Sequence, residues 1–264
     1  MTRTAKARRQ DLILAELRVN RTIRVSELAE KFGTSTETIR RDLDEMKAAE
    51  LLNRTHGGAT SLPMGHEPAL FERERLLPVE RRRIAEKAVA TLRPNDVVMM
   101  DTGTTTIEVA RAMSARLFSN TVITNSYPVA SILAVNPMLR VLMPPGEFTA
   151  AEAMVNGAET NEFIRRFNAN VCITSASGVT IDGPADANLD ATRLKRAMID
   201  RSHKTILVAD HSKFDRYALE TICRWNKIAT VITDRMPSNG FREVFEQNGV
   251  ELIVAEETEV PAKA

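Results

Sequence analysis

The chain has 264 residues, with 36 Lys or Arg against 35 Asp or Glu and a formal net charge of +1. That length suits two domains, each able to bury a core, and the near-neutral balance excludes a polycation, so any nucleic-acid contact must come from a local basic patch. No apolar run approaches the roughly 20 residues that span a bilayer, no apolar segment suited to a signal peptide follows the basic N-terminus, and Cys172 and Cys223 have neither disulfide nor metal spacing. The expectation is a cytoplasmic protein with no metal and no cofactor.

Residues 6 to 19 place Ile13, Leu14 and Leu17 on one face, which predicts a first helix. Arg21 to Arg24 is a polar break. A second helix starts at Val25-Ser26-Glu27-Leu28-Ala29, with Ser26 as its candidate cap, and Lys31-Phe32-Gly33-Thr34 forms the turn of a helix-turn-helix. A third helix runs from about Ser35 to Ala49. Ser35 suits its N-cap, while Ile39, Leu43 and Met46 recur at helical spacing and face a core. Thr36, Thr38, Arg40 and Arg41 then lie in its first turns, off the apolar stripe. There they can reach base edges and phosphates in a major groove. Asn53-Arg54-Thr55-His56-Gly57-Gly58 reads as the tight turn of a hairpin that closes a winged unit. Arg54, His56 and Gly57 are its candidate backbone contacts on double-stranded DNA. Surface arginines on three short helices are also common in proteins that never touch DNA.

Residues 1–60 thus form a winged helix-turn-helix domain, residues 61–78 a linker containing SLPMGHEPA, and residues 79–258 a second domain. Pro78 suits a helix start, with Ile84, Ala85, Ala88, Val89 and Leu92 facing a core. Arg81-Arg82-Arg83 reads as a solvated face in preference to a phosphate contact. From Val97 on, short apolar runs end at Met100, Thr124, Met143, Thr174, Ala209, Thr233 and Val254. Helical stretches at 105–115, 126–134, 191–200 and 240–248 lie between several of them. This rhythm predicts an α/β domain with a largely parallel sheet, whose ligands bind at the carboxyl ends of the strands.

Asp101-Thr102-Gly103-Thr104-Thr105 follows the first strand and opens a helix. Its free amides and hydroxyls suit an anion. Asn125 and Ser126, Ser175 to Gly178, and Asp210 with Lys213 end three further strands and join it as a candidate pocket. The isolated His203 and His211 carry no metal site. Trp225 reads as packing or interface, and Asp182-Gly183 as a turn.

TETIRRDL (36–43) and NRTHGGA (53–59) resemble the N-terminal module of DeoR-type bacterial transcription regulators. DTGTT (101–105), LKRAMI (194–199) and ADHSKF (209–214) resemble the effector domain of the same family, itself similar in fold to ribose-5-phosphate isomerase. The resemblance implies a repressor of a sugar or carbohydrate catabolism operon, not an enzyme, acting as a homodimer or tetramer on operator DNA and controlled by a phosphorylated sugar. It also implies that Thr102 to Thr105 take the phosphate, that Asn125 and Ser126 bind ligand oxygens, and that Lys195, Asp210 and Lys213 complete the pocket. The family's glycine pair after the third strand is replaced by Pro144-Pro145 before Gly146. Proline lacks an amide donor, so contacts at that rim are expected to differ. The rival readings are a sugar-phosphate isomerase using Asp182, Asp210 or Lys213 as acid or base, and a DNA-binding protein without an effector.

Overall fold

The computed structural model describes residues 5–48, 51–61 and 67–256. The chain divides between residues 66 and 67 into two compact units. The first holds helices α1 (Ala5–Val19), α2 (Val25–Lys31) and α3 (Thr36–Ala48), with strands β1 (Thr22–Arg24), β2 (Asn53–Thr55) and β3 (Gly58–Thr60). The strands form an antiparallel sheet in the order β1-β3-β2. The expected polar break at 21–24 is therefore mostly strand β1, because Ile23 between two exposed neighbours enters the core. Ile13, Leu17, Val25, Leu28, Ile39, Leu43, Met46, Leu52 and Ala59 complete that core.

Ser26 does not cap α2. The helix begins one residue earlier, at buried Val25, with extended Arg24 at the cap position and no side-chain bond. At α3 the cap is made as expected, since the Thr38 amide donates to Ser35 Oγ at 3.1 Å. Gly57 (φ 92) turns the β2–β3 hairpin in a conformation that favours glycine. Gly58 is needed for a different reason, because a Cβ there would lie 2.0 Å from the carbonyl oxygen of Ile23.

The second unit begins with α4 (Leu70–Glu74) and α5 (Pro78–Ala90), then β4 (Val97–Met100), α6 (Thr104–Ser114), β5 (Asn120–Thr124), α7 (Tyr127–Leu133) and β6 (Leu139–Leu142). A hairpin, β7 (Glu147–Thr149) and β8 (Met154–Asn156), leads to α8 (Ala158–Arg165), β9 (Ala169–Thr174), β10 (Gly178–Thr180), β11 (Gly183–Asp186), α9 (Leu189–Asp200) and β12 (Ser202–Val208). The chain closes through β13 (Glu220–Thr221), β14 (Thr230–Thr233), α10 (Asn239–Asn248) and β15 (Glu251–Val254). The seven expected strands make one sheet, β15-β14-β12-β9-β4-β5-β6, with every pair parallel. The sequence rhythm had not separated out α8, the β7–β8 hairpin, or the small antiparallel sheet β10-β11-β13.

Alternation along the strands builds two cores. Val98, Met100, Val122, Ile173, Ile206 and Val208 pack with Ile84, Ala88, Ile107 and Leu133 on one side of the sheet. Met99, Ile123, Cys172, Leu207 and Val231 pack with Leu194, Met198, Trp225, Phe241 and Phe245 on the other. Helices covering both faces explain why these strands are apolar without interruption.

Within the stretch expected as a linker, residues 62–66 lie outside the described residues. Residues 67–77 are folded onto the second unit. Leu70 is fully buried in its core, and Arg73 is buried among carboxylates. Arg81 also departs from a solvated face. It is 3% exposed, and its guanidinium donates to Asp210 Oδ2 at 3.0 Å and to the Arg73 carbonyl at 2.6 Å.

Candidate functional site

The winged unit carries its apolar stripe inward, which leaves the opposite side of α3 to solvent. Arg40 and Arg41 keep 57% and 78% of their side chains exposed, and their contacts with Glu37 are loose, at 3.8 and 3.7 Å. Thr36 is exposed and Thr38 half-buried. The Thr38 hydroxyl lies 2.8 Å from Ser35 Oγ, so both are engaged at the cap. His56 and Gly57 stand exposed at the wing turn. Arg54 is placed differently: its guanidinium donates to Asp44 at 2.9 Å and to the Gly58 carbonyl at 2.8 Å. It therefore braces the wing against α3. A residue the sequence reading overlooked, buried Asp42, ties α3 to Arg9 of α1.

In the second unit β5 and β6 lie on one side of β4, and β9, β12, β14 and β15 on the other. The strand order reverses between β4 and β9, the place where open parallel sheets leave a crevice at their carboxyl ends. The loops that leave these two strands, 101–103 and 175–177, meet there. Asp101 Oδ2 accepts from the Ser175 amide at 3.0 Å and from Thr174 Oγ1 at 2.8 Å. A Cβ on Gly103 would lie 2.3 Å from Ser175 Oγ, so the two loops touch only because residue 103 has no side chain. A narrow cleft opens above this contact.

Of the expected pocket residues, Thr102, Gly103, Thr104, Thr105, Ser175, Lys195 and Lys213 line the cleft. The first amides of α6 supply unpaired donors and the positive end of a helix dipole. Lys195 Nζ sits 3.0 Å from Asp101 and 2.6 Å from Asp186, and donates to the Ser175 carbonyl at 3.0 Å. Burial alone would lower its pKa, but the two carboxylates outweigh burial and hold the ammonium above its ordinary range. Asp101 forms the sealed floor at 2% exposure. Burial pushes its carboxyl up against the opposing pull of Lys195.

Six expected residues do not line the cleft, Asp101 beneath it among them. Asn125 is buried, and its amide donates to the Val155 carbonyl at 3.2 Å. Ser126 caps α7. Gly146 packs beside Thr160 and the Asn156 carbonyl, with a φ of 148°. A Cβ on Gly178 would lie 2.2 Å from the Arg216 carbonyl oxygen. Asp210 is sealed beneath the site with Arg81, which together with Lys213 overcomes the effect of burial and holds its carboxyl below the usual range. Asp182 is exposed on a turn away from the cleft, and Trp225 is packed against Phe245.

Ser177, at the expected strand end 175–178, lines the cleft too, and the cleft also takes residues missed in the sequence: Glu67, Arg73, Glu152, Asp186 and Asn188. Glu67 and Arg73 fell in the expected linker. Asn188 had a legible signal, since it precedes a helical run and caps α9 by accepting from the amides of Asp190 and Ala191. Glu67 Oε1 lies 3.0 Å from Lys213 Nζ and 3.3 Å from Arg73, and the Ser177 hydroxyl donates to its other oxygen. Burial would raise its pKa, but Lys213 and Arg73 hold the carboxyl well below the usual range.

Among the described residues, no group of three or more His, Cys, Asp or Glu is placed to hold a metal ion, and no helix is long and apolar enough to cross a membrane. Residues 9–63 match the family model of the DeoR-like helix-turn-helix domain, and residues 78–235 that of the DeoR C terminal sensor domain. The glycerol-3-phosphate regulon repressor of Escherichia coli K12 is 32% identical, over 87% of this chain and 91% of its own. Transcriptional repressor AccR of Agrobacterium fabrum is 31% identical, over 90% of this chain and 92% of its own. Ribose 5-phosphate isomerase A of Neisseria gonorrhoeae, a solved structure, shares 21% identity over 51% of this chain and 52% of its own, with a TM-score of 0.38. That likeness assigns no chemistry to the cleft. The tandem domains and the length of the matches to repressors establish that this chain belongs to the DeoR family of transcription regulators.

Proposed function

We propose that the protein is a sequence-specific repressor that binds operator DNA through α3 and the wing, and responds to a phosphorylated sugar held in the cleft of the second unit. The observation that carries the sensor half is the convergence of the α6 N-terminus with Arg73 and Lys213 at the reversal of strand order. Amides at a helix start and two cations suit a phosphate. The names of the relatives, among them the glycerol-3-phosphate regulon repressor, support a small phosphorylated metabolite. The isomerase reading finds less support, because Asp182 faces solvent and Asp210 is sealed against Arg81.

Switching follows by population shift: ligand binds one arrangement of the DNA-reading heads better than the other. Pairing of heads on two half-sites calls for at least a homodimer, working in the cytoplasm where DNA and sugar phosphates meet. Thermal unfolding of the full chain against phosphorylated sugars and their unphosphorylated parents tests this reading. A ligand that binds only the native state raises the midpoint as its concentration rises. The expected result is a shift with a phosphorylated compound that Lys213→Ala and Thr104→Ala both abolish. A shift equal for the unphosphorylated parent would overturn the phosphate assignment.

A further inference from the structure

The cleft already contains an anion. Glu67 reaches Lys213, Arg73 and the Ser177 hydroxyl, two cations and a neutral donor converging on one carboxylate. It is itself almost fully buried, with its side chain 7% exposed. Among the described residues that line the cleft, no cation is spare. Lys195 is held between Asp101 and Asp186, and Arg73 is shared with Glu152. At full ionisation the carboxylates of Glu67, Asp101, Glu152 and Asp186 face Arg73, Lys195 and Lys213, an excess of one negative charge. Without Glu67 the two sides balance. A phosphate entering the closed cleft would therefore meet a net negative site, and like charges at contact distance cannot both stay ionised in a buried setting.

We infer that Glu67 is a built-in occupant of the anion seat formed by Lys213, Arg73 and Ser177, which a phosphorylated ligand must displace, releasing the segment that follows the inter-unit link. This deepens the sensor reading above and rests on it. Residue 67 opens the second unit and α4 begins three residues later. The same Arg73 that holds Glu67 also donates to the Pro68 carbonyl and accepts from Arg81 on its own carbonyl. Vacating the seat removes the anion that fixes residues 67–72 at their first position, while Arg73 stays with the seat and with Glu152. In sequence the displaced residues follow the winged unit, so ligand and DNA-reading head are joined through the chain. Asp101 and Asp186 do not serve in this way, because both are committed to Lys195.

The test uses the full chain, with inorganic phosphate and a panel of sugar phosphates as probes. Calorimetric titration of the wild type and of Glu67→Gln gives the affinities, and hydrogen exchange follows the amides of residues 67–72. If the seat is open a tenth of the time, removing the competitor tightens binding by about tenfold. The expected result is that gain in Glu67→Gln, together with faster exchange over 67–72 when the wild type is saturated. A structural staple would give neither, because ligand bound beside an intact ion pair would slow that exchange. Equal or weaker binding by Glu67→Gln, or exchange that slows or stays constant, overturns the inference while wild-type binding keeps the sensor reading alive. No binding of any phosphate compound to either protein overturns both. Should Glu67→Gln fail to reach the native state, wild-type exchange decides alone.

Discussion

Two residues show what a single side chain, or its absence, contributes. Gly103 is extended rather than left-handed (φ 165), so its role is space. In Gly103→Ala the new methyl must push Ser175 aside and part the loops that leave β4 and β9. Overpacking of this kind costs about 1–3 kcal/mol, and urea unfolding is expected to show a loss in that range together with weaker phosphate binding. Asp210 is fully buried against Arg81. Asp210→Asn leaves that guanidinium without its counter-charge, at a cost of about 3–5 kcal/mol. The native carboxyl titrates below its ordinary value. Its stabilisation is therefore complete above about pH 4 and is lost as pH falls toward the lowered native pKa. Stability measured from pH 5 downward should fall more steeply in the wild type than in Asp210→Asn. Parallel curves would show that Asp210 does not contribute to the acid limb.

At the scale of the element, α3 and the wing divide their arginines between two tasks. Arg41 is mostly exposed and loosely paired, whereas Arg54 is locked between Asp44 and the Gly58 carbonyl. Arg41→Ala should leave the unfolding of the winged unit unchanged. It should also weaken binding to duplex DNA selected by the protein from a random pool, and lower the salt slope by about one if it holds one phosphate. Arg54→Ala should instead lower the stability of the winged unit by about 1–3 kcal/mol, because Asp44 and the Gly58 carbonyl lose a charged donor. Equal stability in the two variants would remove this division. The apolar spacing of α3 and its Ser35 cap were legible in the sequence because both are local. The engagement of Arg54 was not, since Asp44 lies ten positions away and meets it only through the hairpin fold.

At the scale of the whole molecule, each unit has its own hydrophobic core. Heating is expected to give two transitions, and a phosphorylated ligand should raise only that of the second unit. A single transition, shifted as a whole, would mean that the units unfold cooperatively. The helix-turn-helix, the alternation of strands and helices, and the polar strand ends could be read from the chain alone. They depend on periodicity, caps and turn residues that act within a few positions. The tertiary structure decided which strand ends share a cleft. It excluded Asn125, Ser126 and Asp210 and admitted Glu67, Arg73, Glu152 and Asp186. Those partners come from distant parts of the chain and converge where the strand order reverses. Their ion pairs form only in the buried setting that the folded sheet creates, so no local pattern in the sequence announces them.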